Sequence, residues 1–217
     1  ADRIIAQAGQ FFLAGFETVS STMAFTLYEL CINKDIQNKV RLELMRVLTN
    51  HGKFTSEAVQ DMKYLEMVVN ESLRKYPVLP FLDRICLEDY KIPNSNFVIE
   101  KGTAVYVPMF GLHYDPDYFP NPEEFIPERF AGDDYENTSK LAYIPFGIGP
   151  RKCIGARFGL TVVKLGLAHI LSTFEVERSR DTPVPLKYLT KGVVLASTIG
   201  LPMRFKKIER TLTNDFK

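Results

Sequence analysis

Cys153 stands in the segment Phe146-Gly147-Ile148-Gly149-Pro150-Arg151-Lys152-Cys153-Ile154-Gly155. Two cationic residues precede the sulfur, and an amphipathic helical pattern starts directly after it, at Ala156. The first turn of such a helix presents free N–H groups and the positive end of its dipole. Cations and a helix start beside a sulfur suit a thiolate held on a metal. Gly147, Gly149 and Gly155 permit backbone conformations closed to other residues and let a flat ligand approach, while Pro150 stiffens the loop. A lone cysteine is more often a buried structural residue. The loop around this one reverses that expectation and points to a single thiolate ligand with one face shielded and one face open.

The metal is constrained by what else is available. A closed zinc site takes about four Cys or His ligands. Cys31 and Cys86 are remote and form no CxxC pair, and His51, His113 and His169 form no HxH or HxxxH pair. A haem needs one protein ligand, because the porphyrin supplies four, and a cysteine thiolate is one of the axial choices.

The segment resembles the cytochrome P450 pattern Phe-x-x-Gly-x-x-x-Cys-x-Gly through Phe146, Gly149, Cys153 and Gly155, with Arg151 two positions before the cysteine. The resemblance implies a haem-thiolate enzyme in which Cys153 is the iron ligand. Arg151 would pair with a haem propionate, Phe146 would pack on the sulfur side of the porphyrin, and Gly147 and Gly155 would lie against the cofactor.

Three further constellations gain meaning beside this loop. Ala14-Gly15-Phe16-Glu17-Thr18 lies in an apolar helical pattern. Thr18 can bond back to the carbonyl of Ala14 and distort the helix, and Gly15 removes bulk beside it. Alone this reads as a glycine-loosened core helix. It also resembles the family's oxygen-binding helix, which implies catalytic roles for Glu17 and Thr18 in dioxygen binding and proton relay, with Ala14 and Gly15 against the cofactor. Proton transfer of that kind needs hydrogen-bond reach, directly or through one water. Glu71 and Arg74 share a helix face at i, i+3. A surface pair of this type contributes only about 0–1 kcal/mol. The family's Glu-x-x-Arg pair reaches an arginine matched by Arg129 in Pro127-Glu128-Arg129-Phe130, so the resemblance implies a structural lock of Glu71, Arg74 and Arg129. After that helix, Arg84 matches a second propionate partner, and Phe81 and Leu82 match pocket-lining positions. Thr198, in Ala196-Ser197-Thr198-Ile199-Gly200, resembles a substrate-touching turn on weaker grounds. His113 is expected to make a structural hydrogen bond, and Cys31 and Cys86 to be inert core residues.

The elements that must position these residues follow from periodicity. Ile4, Ile5, Ala8, Phe11 and Phe12 follow helical spacing, so a long helix is expected over 2–33, broken at Asn33-Lys34-Asp35. Gly15 costs this helix about 1 kcal/mol relative to alanine. Further helices are expected over 36–48, 63–75 and 156–173, with His51-Gly52 as a stop and Pro77 ending the third. Short strands are expected near 90–93, 96–99, 103–107, 174–178, 193–197 and 202–206. The proline-rich stretch 114–150 should be irregular and functional. The expected fold class is mostly α with small β-sheets (α+β), with no linker dividing it: the cytochrome P450 fold, C-terminal part only.

Composition narrows the function further. The chain has 217 residues, 46% hydrophobic, with a formal net charge of +1, so no nucleic-acid partner is indicated. Its three cysteines are an odd number without a disulfide framework. No run of about 18 apolar residues is present. Ala1 begins mid-pattern without a targeting segment. Residues 1–217 are therefore expected to be the C-terminal part of a single haem domain, the N-terminal part lying outside.

The style resembles microsomal insect and vertebrate xenobiotic-metabolising members. It implies a monooxygenase acting on a lipophilic small molecule, xenobiotic or endogenous lipid or hormone. An NADPH-dependent flavoprotein reductase and cytochrome b5 would supply electrons. Membrane association would come through the N-terminal part, at the cytoplasmic face of the endoplasmic reticulum. Lys152, Arg157 and Lys164 are candidates for the reductase-docking face. The alternatives are haem-thiolate isomerase or dehydratase chemistry, against which Glu17-Thr18 argues, and a fragment that is catalytically silent as given.

Overall fold

The computed structural model describes residues 2–132, 141–189 and 191–208. The first helix, α1, runs unbroken over Asp2–Ile32, as the long helix expected over 2–33, and continues straight through Gly15. The expected break at 33–35 narrows to one residue. Asn33 leaves helical geometry and its amide Nδ2 bonds both the carbonyl of Glu29 (3.0 Å) and its carboxylate (2.9 Å). Helix α2 starts immediately, Lys34–His51, and stops at Gly52, whose φ of 72° is the left-handed conformation that favours glycine.

Helix α3, Lys63–Lys75, is capped from outside. The carboxylate of Glu43 on α2 accepts from the Tyr64 N–H (2.7 Å) and the Leu65 N–H (2.9 Å). A negative group on two free N–H groups at a helix start satisfies both and complements the dipole. After α3 the chain forms β1 (Leu82–Ile85), β2 (Tyr90–Lys91), β3 (Val98–Ile99) and β4 (Ala104–Val107). β1 pairs antiparallel with β4, and β2 with β3. A short helix, α4, Met109–His113, follows; the sequence carried no periodic run long enough to announce it. Most of the described part of 114–150 is irregular, with short 3-10 turns at Pro127–Phe130 and Gly149–Arg151. Helix α5, Ala156–Leu171, ends two residues before the expected boundary.

Strands β5 (Phe174–Arg178) and β6 (Met203–Lys207) pair antiparallel. The expected strand at 193–197 does not form. Tyr188 and Ser197 make only an isolated bridge, and Leu195 is tied instead to the carbonyl of Val78 (2.9 Å). Buried Gln37 docks β5 on the helices. Its Nε2 donates to Leu30 O (2.8 Å) and Val176 O (2.9 Å), and its Oε1 accepts from Val176 N (2.9 Å).

The apolar faces of α1, α2, α3 and α5 meet in one cluster that includes Leu30, Val40, Leu44, Leu65, Val69 and Leu167. The N-terminal half of α1 takes no part, and Ile4, Ile5, Phe11, Phe12 and Phe16 are exposed. Leu167, at 0% exposure, and Leu42, at 67%, differ only in placement. Leu167→Ala is expected to cost about 2–5 kcal/mol in urea unfolding, and Leu42→Ala no more than about 0.5 kcal/mol.

Candidate active site

A cleft of about 330 Å³ opens between α1, the end of α3, β1, the cysteine loop and α5. Eight of the residues singled out in the sequence line it: Thr18, Phe81, Leu82, Arg84, Phe146, Gly147, Arg151 and Cys153. They come from stretches more than a hundred residues apart, so the fold is what brings them together. Its walls are completed by Val19, Thr22, Leu73, Val78, Leu79, Leu160 and Val163, among others. Motif reasoning missed these, although helical spacing marks Val19, Leu73, Leu160 and Val163 as parts of apolar faces; Val78 and Leu79 follow the end of α3.

The loop's shape is fixed by its backbone. Gly147 N–H donates to Ile144 O (2.9 Å) and Cys153 N–H to Phe146 O (2.8 Å). Gly147 has φ 71°, the left-handed conformation that favours glycine, and a Cβ there would meet Leu82 Cδ1 of β1 at an ordinary contact distance of 3.7 Å. Phe146 packs on the main core cluster, while the Cys153 thiol is free and exposed. Gly155 stands directly behind it, a Cβ there falling 4.0 Å from the sulfur. Pro145 and Gly159 are further cleft residues that sequence reasoning did not identify.

On α1, the Thr18 hydroxyl donates to Ala14 O (2.6 Å), as expected. Thr22 and Thr26 repeat the pattern on the carbonyls of Thr18 (2.8 Å) and Thr22 (2.7 Å). The donor of Thr18 is thus committed, and its oxygen keeps acceptor capacity toward the cleft. Ala14, Gly15 and Glu17 lie on the exposed part of α1 and do not line the cleft.

Thr198 departs further from expectation. It is exposed, its N–H is bound to Lys187 O (2.9 Å), and it is no part of the cleft wall. Lys164 is also not a surface cation. It is 5% exposed and pairs with Glu66 at 2.9 Å, whereas Lys152 and Arg157 are exposed. Cys31 is buried, and burial pushes its thiol up to about 11, which makes it inert. Cys86 is only half-buried, its Sγ against Glu88 O (2.9 Å), because it leaves β1 at the sheet margin and not in the core.

The residues present fit a haem. A single thiol lies in an apolar cleft with two guanidinium groups on its lining. Arg84 donates to Asp83 O (2.6 Å), and among the described residues neither Arg84 nor Arg151 is in an ion pair. A flat apolar macrocycle carrying two carboxylates asks for this donor set.

Behind the cleft sits the lock. Glu71 and Arg74 have no side-chain exposure and meet in a two-bond pair, Nε to Oε2 at 2.7 Å and Nη2 to Oε1 at 2.9 Å. Glu71 Oε1 also accepts from Arg129 Nε (3.2 Å) and from the Ile126 N–H (2.9 Å). Arg74 spends its remaining donors on the carbonyls of His113 (2.9 Å), Pro122 (2.9 Å) and Glu124 (3.2 Å). Arg129 reaches the carbonyls of Pro120 and Asn121. This is not the weak surface pair that spacing alone suggests. Removing one partner of a buried pair costs about 3–5 kcal/mol, because the other charge is stranded.

His113 is fully buried between this lock and the loop. Its Nδ1 lies 3.1 Å from Arg74 O, and its Nε2 accepts from the Ile144 N–H at 3.3 Å. A structural hydrogen bond was expected here; there are two.

Comparison with known proteins agrees with this architecture. The family profile "Cytochrome P450" matches residues 1–201. Among relatives, Cytochrome P450 6k1 of Blattella germanica is 50% identical over 207 residues, covering 95% of this chain and 40% of its own. Cytochrome P450 6j1 of the same species is 51% identical, covering 95% of this chain and 41% of its own. Probable cytochrome P450 6a13 of Drosophila melanogaster is 45% identical, covering 96% and 43%. The chain belongs to the cytochrome P450 family. It spans about two fifths of the length of these relatives.

Burial, with a smaller push from the Arg74 charge, lowers the His113 pKa from 6.5 to about 4. The unfolded chain therefore binds a proton that the folded chain refuses between these values. The stabilisation is complete above pH 6.5 and is lost as pH falls through about 4. Urea unfolding from pH 7 to pH 4 should reveal an acid-side loss of up to about 3 kcal/mol. That loss should shrink in His113→Gln, which does not titrate.

Proposed function

We propose that the whole protein is a haem-thiolate monooxygenase acting on a lipophilic small molecule. The observation that carries the reading is the shared cleft: the Cys153 loop and Thr18 of α1 line one apolar cavity together with Arg84 and Arg151. Cys153 would be the axial ligand, Arg84 and Arg151 would hold the two carboxylates, and Phe146 would shield the sulfur side. Haem held by a thiolate supplies the redox chemistry that cleaves dioxygen. One oxygen atom enters the substrate and the other leaves as water, with two electrons and two protons consumed.

The chain's own groups would handle the protons. Thr18, its donor occupied by Ala14 O, can accept a hydrogen bond from a water in the cleft and hold that water in place. Glu17 is exposed on the same helix, next to Thr18, where it can exchange protons with solvent. The electrons would come from an NADPH-dependent flavoprotein reductase, with cytochrome b5 as a further donor, and exposed Lys152 and Arg157 suit a face for acidic partners. The apolar lining, with Leu73, Val78, Phe81, Leu82 and Val163, favours a lipophilic substrate.

Residues 1–217 would form the C-terminal part of one haem domain. The exposed apolar side chains on the first half of α1 fit a surface covered by the rest of the longer protein. Among the described residues no helix is long and apolar enough to cross a membrane. The whole protein would attach to the endoplasmic reticulum membrane, as do the microsomal members this sequence resembles.

The carbon monoxide difference spectrum of the reduced whole protein tests the central assignment. A thiolate-type Soret band is expected in the wild type and is expected to vanish in Cys153→Ala. Absence of the band from the wild type, or its persistence in the variant, would overturn it.

A further inference from the structure

The Ile144 N–H stands three residues before Gly147, at the entrance to the cysteine loop, and its partner is a side chain from a different element. His113 closes α4, and its carbonyl already accepts from Arg74 Nη1 (2.9 Å). Its ring then bridges two backbones. A carbonyl can only accept, so Nδ1, facing Arg74 O at 3.1 Å, must carry the hydrogen. A backbone N–H can only donate, so Nε2, facing Ile144 N at 3.3 Å, must be bare. The two partners dictate one neutral tautomer, and a proton on Nε2 would abolish the bond to Ile144.

The ring is held on its faces as well. Tyr143 stacks on it at 5.4 Å between centroids and Phe119 meets it edge-on at 6.1 Å. Arg74, from α3, is the charged side chain bearing on it. Beyond Ile144 the connection continues through backbone alone, Gly147 N–H to Ile144 O (2.9 Å) and Cys153 N–H to Phe146 O (2.8 Å).

We propose that His113 is a positioning residue for the thiolate loop: its neutral imidazole transmits the placement of Arg74 to Ile144, and thereby sets where Cys153 stands in the cleft. The inference rests on the haem-thiolate reading above. It goes beyond it by assigning a role in ligand geometry to a side chain that touches neither cofactor nor substrate. Without the bond the loop opens more often, and the cysteine leaves the iron or takes up a proton more often. One buried hydrogen bond of ordinary strength corresponds to about tenfold in such a rate.

The test follows the decay of the thiolate-type Soret band of the ferrous carbon monoxide complex, using the whole haem-loaded protein. His113→Gln places an amide at the depth of Nε2 and can still receive the Ile144 N–H. His113→Asn places its amide at the depth of Nδ1, keeps the bond to Arg74 O and falls short of Ile144. The band should decay within about twofold of wild type in His113→Gln and about tenfold faster in His113→Asn, at equal haem content. Phe119→Leu, which loosens the same pocket without removing a bond, should decay like wild type. Equal lifetimes for the Asn and Gln variants, or a Phe119→Leu lifetime as short as that of His113→Asn, would overturn the role of His113. A wild type without the band would instead sink the haem-thiolate reading.

Discussion

A carboxylate with no solvent exposure has to be answered, and the answer to Glu71 organises the irregular half of this protein. Its desolvation is offset only if its lone pairs are filled and its charge is balanced. Arg74 does both from one turn away on the same helix, and Arg129 and the Ile126 N–H complete the set. Two guanidinium groups on one carboxylate leave several donors unspent. Those donors collect backbone carbonyls, and so the chain around 113 and from 120 to 124 is drawn onto α3. A stretch with little regular structure acquires a fixed course because a helix supplies the hydrogen bonds that its own backbone does not make.

The cleft inherits this order. Its regular walls are held by ordinary packing and pairing, with α1, α3 and α5 sharing one apolar cluster and β1 paired to β4. The wall that carries the sulfur meets that cluster through Phe146, and its own regular structure is one short 3-10 turn. It is a turn with Gly147 at φ 71°, held by three backbone hydrogen bonds and, through Ile144, by His113. An exposed thiol on a turn that is anchored from behind can be both accessible to a ligand and constant in position. That combination is what a single-point ligand requires.

Much of this was legible in the sequence. The apolar periods of α1, α2, α3 and α5 were visible because each buries one continuous face. The cysteine loop was visible because its glycines, cation and thiol occur at fixed spacing in a single short segment. What stayed hidden was whatever depends on one side chain meeting a distant backbone. Arg74 bonds carbonyls, and carbonyls have no residue identity, so its reach across the fold left no pattern. Lys164 looked like any surface lysine, yet it lies in the buried row of α5 opposite Glu66 of α3. Residues 193–197 have strand-like composition, but the chain there finds its partners in Val78 and the segment around Tyr188, and not in a ladder. His113 was expected to be structural, and only the two facing backbones reveal that its tautomer is dictated.

Amide hydrogen exchange in Glu71→Gln, measured on the whole haem-loaded protein, tests most directly whether one buried carboxylate governs the thiolate loop. If it does, protection should fall together over residues 113–130 and 144–153, although the substituted side chain would touch only the first of these segments. Loosening confined to 113–130, with 144–153 as protected as in the wild type, would contradict the account.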